Sequence, residues 1–248
     1  MKKLIFISSV LFLFSSCKED KVTPPIEQID YLQVTMQPTF GAEDLILDQT
    51  YTTAEGYGVQ FTDLKCYFTS IANGSKTLCD AALFDFRENG TFFFKKAGNK
   101  NDFSDLSGYL GVDVLYNHSD PSAFANDNPL NIAIANDMHW DWNPGYIFMK
   151  VEAKVDTLND GIANFNHFVV LHIGGDSFIQ PLSFTNINWV PLAPDKHVFP
   201  LKLDMQKFLQ NNGQTIDLKT EHISHSSSGQ ETLSQKVIEN FKSAISSY

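Results

Sequence analysis

The sequence predicts an all-β protein: an antiparallel β-sandwich with long loops and a short C-terminal amphipathic helix. Three observations predict it. Runs rich in β-branched and aromatic residues recur along the chain, Gly- and Asn-containing turn signals separate them, and helical spacing of apolar residues is sparse until the C-terminus. Strands without alternating helices fit a sandwich better than a parallel α/β fold. No internal repeat is visible, which argues against a propeller or a solenoid.

Residues 1–16 read as an export signal, with Lys2 and Lys3, an apolar run over 4–14, then Ser15 and Ser16 before Cys17. An apolar run this short cannot span a bilayer. Phe14-Ser15-Ser16-Cys17 resembles a lipobox, so cleavage before Cys17 and acylation of its thiol, with palmitate-like chains, are expected. Each buried methylene contributes about 0.8 kcal/mol, so more than one chain anchors the protein at a membrane. Lys18-Glu19-Asp20 resembles the export signal of surface lipoproteins of Bacteroidetes, which suggests an outer-membrane lipoprotein exposed at the cell surface. Residues 17–29, polar and carrying Pro24 and Pro25, form the tether, and 30–248 form the domain.

In the domain, 31–36 alternates, 58–71 is a long β-rich run, and 82–86 and 91–94 flank a turn at Glu88-Asn89-Gly90. Residues 146–155 and 163–173 flank Asn159-Asp160-Gly161 and read as a long hairpin, and 197–203 adds a late strand. Residues 204–211 suit a short helix. Over 230–246, Leu233, Val237, Phe241, Ala244 and Ile245 recur at helical spacing. The polar, Pro-broken segment 116–129 reads as a loop at one end of the sandwich, where sites form.

Removing Lys2 and Lys3 from the 18 basic residues leaves 16 against 29 acidic ones, a net charge near −13. No basic stripe exists, and nucleic acid is an unsuitable partner. With Cys17 lipidated, Cys66 and Cys79 remain in an oxidising compartment on either side of Asn73-Gly74, where a hairpin turn suggests a disulfide. The alternative is two buried thiols, because reach decides the matter.

The densest chemistry lies in Asp137-Met138-His139-Trp140-Asp141-Trp142-Asn143-Pro144-Gly145-Tyr146, which holds two of the three tryptophans. In an extended chain Met138, Trp140 and Trp142 share one side and His139 and Asp141 the other, so the segment reads either as a core plug or as a copper or zinc half-site. If Asp160-Gly161 centres the hairpin turn, Tyr146 lies opposite Gly175 and Met149 opposite His172. His172 then sits about 10 Å from the tryptophan corner, while His167, an odd number of residues away, points to the other face. His222-Ile223-Ser224-His225 lies in a Ser-rich stretch and reads as a solvated linker. No nucleophile elbow, phosphate-cradling loop or zinc-protease helix appears, and no nucleophile–base pair points to an enzyme.

Several pieces, in order, carry a family resemblance: Tyr51-Thr52-Thr53-Ala54-Glu55-Gly56, Leu64-Lys65-Cys66-Tyr67-Phe68-Thr69-Ser70-Ile71, Gly111-Val112-Asp113 with Asn117-His118-Ser119-Asp120-Pro121, Pro129-Leu130-Asn131, the tryptophan segment from Met138, and His172-Ile173-Gly174-Gly175. On these the chain resembles the MbnP-like proteins, named from methanobactin gene clusters and related to copper-repressed surface proteins of methane oxidisers. The resemblance implies a β-sandwich in which a partner dihaem enzyme of the cytochrome c peroxidase type oxidises a tryptophan to kynurenine, which then helps histidines bind copper. Carried over, Trp140 or Trp142 is the oxidised position, His172 the foremost ligand and His118 a further one. His139 stands where the family has an aromatic, as an added ligand or a polar substitute. The competing expectation is a metal-free accessory module for an outer-membrane receptor or for the dihaem peroxidase.

Overall fold

The computed structural model describes residues 29–140, 145–158, 160–211 and 213–248. The signal segment, Cys17, most of the tether and Trp142 lie outside the described residues. The strands that carry the fold are, in chain order, β1 (Tyr31–Phe40), β2 (Gly58–Asn73), β3 (Lys76–Asp85), β4 (Phe92–Ala97), β5 (Leu106–Leu110), β6 (Ile147–Asp156), β7 (His167–Gly174), β8 (Gln180–Phe184), β9 (Val190–Ala193), β10 (Lys196–Asp204), β11 (Ile223–Ser224) and β12 (Ile245–Ser247).

One sheet runs β9-β10-β1, with β4 on the free side of β1 and β12 on β10. The other runs β8-β5-β2-β6-β7-β11, with β3 also paired to β2. The architecture is the expected β-sandwich. Most pairs are antiparallel, but β1 runs parallel to β10 and β7 parallel to β11, because no hairpin joins either couple. Alternation places Leu32, Val34 and Met36 of β1 and Phe199, Leu201 and Leu203 of β10 on the inner face. They meet Val59, Phe61, Leu64, Cys66 and Phe68 of β2 and Val169, Leu171 and Ile173 of β7 in one apolar core.

β2 serves two cores by breaking its own alternation. Opposite β6, Phe61 pairs with Ala153 and Asp63 with Glu152, so Thr62 is an extra residue, a β-bulge. The bulged backbone is held by Arg87, whose guanidinium donates to the Thr62 carbonyl. Inward positions are therefore odd before Thr62 and even after it, and Asp63, Lys65 and Tyr67 turn outward. A second irregularity at Ser70 (φ 53°) and Ile71 restores Ile71 to the core. Gly108 makes it possible: a Cβ there would stand 2.7 Å from the Thr69 carbonyl oxygen.

The hairpin expected at Asn73-Gly74 forms, but its register overturns the disulfide. Cys79 pairs with Ile71, and Cys66 pairs with Phe84. Five strand positions, roughly 17 Å, separate the two cysteines along β2, far beyond disulfide reach. Both thiols are buried and free. Burial pushes the Cys79 thiol up to about 11 and raises Cys66 further still.

The C-terminal helix spans Glu231–Ala244 and buries Val237, Ile238, Phe241 and Ala244. Phe241 meets Phe208 edge to face at 5.8 Å. The helix stops one residue earlier than its apolar spacing suggests, because Ile245 opens β12. The segment expected as an end loop does something else: with the chain up to Trp140 it crosses the outer face of the second sheet, where Tyr146 joins it. Val112, Leu130, Ala135, Met138, Trp140 and Tyr146 close over Tyr67, Ala81, Ile147 and Phe148 in a separate apolar cluster.

Candidate functional site

The outer face of β2, β6 and β7 carries an ion network that the covering segment completes. Lys65 Nζ lies 2.9 Å from Asp85 Oδ2 and 2.9 Å from Asp137 Oδ2. Lys150 Nζ lies 2.8 Å from Asp137 Oδ2, 3.1 Å from Asp63 Oδ2 and 3.4 Å from Glu152 Oε1. Asp137 thus fastens the segment bearing His139 and Trp140 to two strands at once. Burial acts to raise the Asp137 carboxyl, but the hydrogen bonds from Lys150 and Lys65 outweigh it and hold it below the usual carboxylate range. Asp63 behaves oppositely: burial keeps its carboxyl above that range despite both lysines.

From Lys150 the network passes through Glu152 to His172, whose Nε2 is 2.9 Å from Glu152 Oε1. The His172 hydrogen bond is the main reason the Glu152 carboxyl sits low. The register here differs from the expected one. Ile147 lies opposite Gly174, as the turn at Asp160-Gly161 predicts, but Phe148 is then an extra residue, so Met149 pairs with Ile173 and His172 with Lys150. His172 therefore leaves the core face of Met149 and joins the charged outer face. His167 lies on the opposite face of β7, as its odd spacing requires.

The bland reading of Trp140 holds: it is 5% exposed and plugs the outer cluster. The same placement puts it beside His172. A Cβ on Gly174 would stand 2.8 Å from Trp140 Cζ3 and Cη2 and would also strike the Tyr146 carbonyl oxygen. The indole therefore occupies the space a side chain would take, two residues along β7 and on the same face as His172, about 7 Å away along the strand. Gly174 is required by close approach.

His118 and His139 are placed elsewhere on this cover. His118 Nε2 is 2.8 Å from Asp176 Oδ2, and Asn117 Nδ2 donates to Asp176 Oδ1 at 2.7 Å. Asn117 Oδ1 in turn accepts from the Tyr146 N–H at 2.9 Å, so Asn117-His118 braces the corner that follows Gly174-Gly175. His139 bridges to Tyr146 and meets its ring edge to face at 5.0 Å. Among the described residues no group of three or more His, Cys, Asp or Glu is arranged to hold a metal ion, so His172, His118 and His139 do not form one ligand set.

The imidazole next to His172 comes from the stretch read as a solvated linker. Ile223 and Ser224 form β11, in register with Val170 and Leu171 of β7. Ser224 is fully buried against Ser234, 2.8 Å between hydroxyls, and Ile223 points outward. Alternation then sends His222 inward and His225 outward. The His225 ring lies 5.2 Å from that of His172, nearly perpendicular to it. Two imidazoles on one tetrahedral ion, with about 2.0 Å from nitrogen to metal, have centroids about 5 Å apart, so this pair fits half of such a site. Burial, reinforced by neighbouring His172, lowers the His225 pKa and favours the neutral ring that metals bind. Glu152 behind His172 is the carboxylate that orients a ligating histidine. The sequence signal for this network was charged residues at i, i+2 within apolar strands, Asp63/Lys65 and Lys150/Glu152.

The chain is thus a β-sandwich with a segment laid over one sheet, and on the covered face the imidazoles of His172 and His225 and the indole of Trp140 lie close together. The chain belongs to the MbnP family: the MbnP family model matches residues 30–229. Among solved structures it is similar to MbnP from Methylosinus trichosporium, at 15% identity and a TM-score of 0.50, over 75% of this chain and 78% of that one. At that identity the likeness concerns the fold. No curated protein matches the chain.

Proposed function

We propose that this protein is a non-catalytic cell-envelope lipoprotein, anchored at the outer membrane through Cys17 and exposed at the cell surface, that binds copper. His172 and His225 would hold the ion, and Glu152 would orient His172. The observation that carries this reading is the 5.2 Å approach of the two rings on the face that also holds Trp140. Copper bound there would supply a redox-active, imidazole-loving ion. Membership of the MbnP family supports copper over other metals. We further propose that a dihaem peroxidase-type partner, with two equivalents of hydrogen peroxide as oxidant, opens the indole of Trp140 or Trp142 to N-formylkynurenine, whose hydrolysis releases formate and leaves kynurenine, with His118 and His139 bracing the segment that bears Trp140. The test is native protein expressed with its neighbouring genes, analysed by intact mass and by copper retained after dialysis. Copper retention that His172→Gln and His225→Gln each abolish supports the reading. The absence of both retained copper and a kynurenine mass gain would sink it.

A second reading, a metal-free interaction module for an outer-membrane receptor or the peroxidase, is supported by the outward apolar side chains of the cover, Val114, Leu115, Ile132 and Ile134.

A further inference from the structure

β7 and β11 carry a second imidazole pair, on the face opposite the first. The two histidines of β7 are five residues apart and the two flanking β11 are three apart, so each couple splits between the faces of its strand. The parallel register then puts His225 opposite His172 outside, and His222 opposite Val169 inside, one same-face position from His167, whose ring it meets. The inner rings are 4.2 Å apart at an interplanar angle of 61°. Both residues are half-buried.

The hydrogen bonds around the inner pair do not account for its nitrogens. His167 Nε2 lies 3.0 Å from the Leu218 carbonyl oxygen. A carbonyl only accepts, so Nε2 carries the proton and, in the neutral ring, Nδ1 carries the lone pair. A ring N–H given to a backbone carbonyl is the usual support of a metal-ligating histidine. His222 Nδ1 is buried with no hydrogen-bond partner, which is costly for a ring nitrogen unless an ion or a water meets it. The backbone holds this ring in place, since the His222 carbonyl accepts from Val170 N at 2.7 Å.

We propose that His167 and His222 form a second two-imidazole metal site, taking a borderline first-row ion, with copper(I) and zinc(II) as its probes. The 4.2 Å spacing is about 1 Å short of the roughly 5 Å that two imidazoles span on one tetrahedral ion, so an outward swing of about 1 Å by either ring admits the metal. No third His, Cys, Asp or Glu completes the group among the described residues, so the remaining coordination positions are filled by water. The carboxylate of Asp217, next to Leu218 in the chain, adds a negative charge nearby, while that of Glu221, next to His222, is ion-paired with Lys236.

This site shares no ligand with the outer pair, and the two can fail separately. Metal content after dialysis, with copper(I) under reductant or with zinc(II), is measured on the full mature chain and on two double variants. Two equivalents are expected for the wild type. One is expected for His172→Gln/His225→Gln and one for His167→Gln/His222→Gln. If the inner double variant keeps the wild-type stoichiometry, His167 and His222 are only a packing contact and the proposal is overturned. If only the outer variant is without effect, the outer reading falls and the inner one stands. Should the inner double variant fail to fold, ¹⁵N imidazole shifts of the wild type decide: zinc must move His222 Nδ1, and an unmoved signal at saturation overturns the site.

Discussion

The two apolar clusters on either side of the second sheet are built by different means. The inner core is made by strand alternation, and residues from both sheets enter it with few polar contacts, such as the Trp189 indole N–H on the Phe103 carbonyl. The outer cluster is smaller, and it is closed by a segment of short turns that side-chain contacts hold down: Asp137 on Lys65 and Lys150, Asn117 on Tyr146, Trp140 on Gly174. The difference is one of where specificity resides. Alternation gives the inner core many interchangeable apolar contributors, whereas the outer cover depends on a few groups with specific partners.

The sharpest contrast should come from Phe61→Ala, which empties a fully buried ring from the inner core and should cost about 3–5 kcal/mol of global stability in urea unfolding. Equal loss of the outer segment's protection in hydrogen exchange, with no global change, would break the distinction. Gly174→Ala comes next, at about 1–3 kcal/mol, because its Cβ meets an indole and a backbone oxygen. Its signature is local: a shift in indole emission larger than the change in unfolding midpoint predicts.

Asp137→Asn should cost about 1 kcal/mol, discounted because the carboxylate is partly exposed, and should raise exchange over 130–140 alone. Acid acts on the same contact. Its folded pKa is depressed, so its contribution is complete above the ordinary carboxylate value of about 3.9 and is lost as pH falls through the lower folded value. Asp63, raised by burial, works against it, since the cost of its buried charge is relieved on protonation. Indole emission should therefore hold until below about pH 4 and then change. A transition near neutrality would show that this clamp does not seat the segment. The smallest effect should come from reductant. With Cys66 and Cys79 apart, dithiothreitol should leave the unfolding midpoint unchanged, and both thiols should react only in denaturant.

Much of the inner core was legible in the sequence, because 31–36 displays its alternation, 58–71 is rich in β-branched and aromatic residues, and Asp160-Gly161 marks its hairpin. The face of His167 relative to His172 also followed from parity alone. Partner and register did not. A single extra residue, Phe148, moved His172 from Met149 to Lys150, and nothing in its residue type announces a bulge. β11, two residues long, has no periodicity to read, so His222 and His225 looked like linker until β7 provided a parallel edge. Asp137 met Lys65 across 72 positions, a distance no local pattern spans.

The bulge at Thr62 has a consequence for how this chain can vary. Between Thr62 and Ser70 the inward positions are even where the two ends of the strand have them odd, so removing the extra residue Thr62 would straighten the strand and leave Leu64, Cys66 and Phe68 at the inner core, whereas removing a residue inside that stretch, such as Lys65, would turn Tyr67 inward and Phe68 outward. Relatives can therefore shorten this strand at the irregularities themselves without exchanging its faces, and length variation confined to those two places becomes a record of which outer-face charges had to be kept.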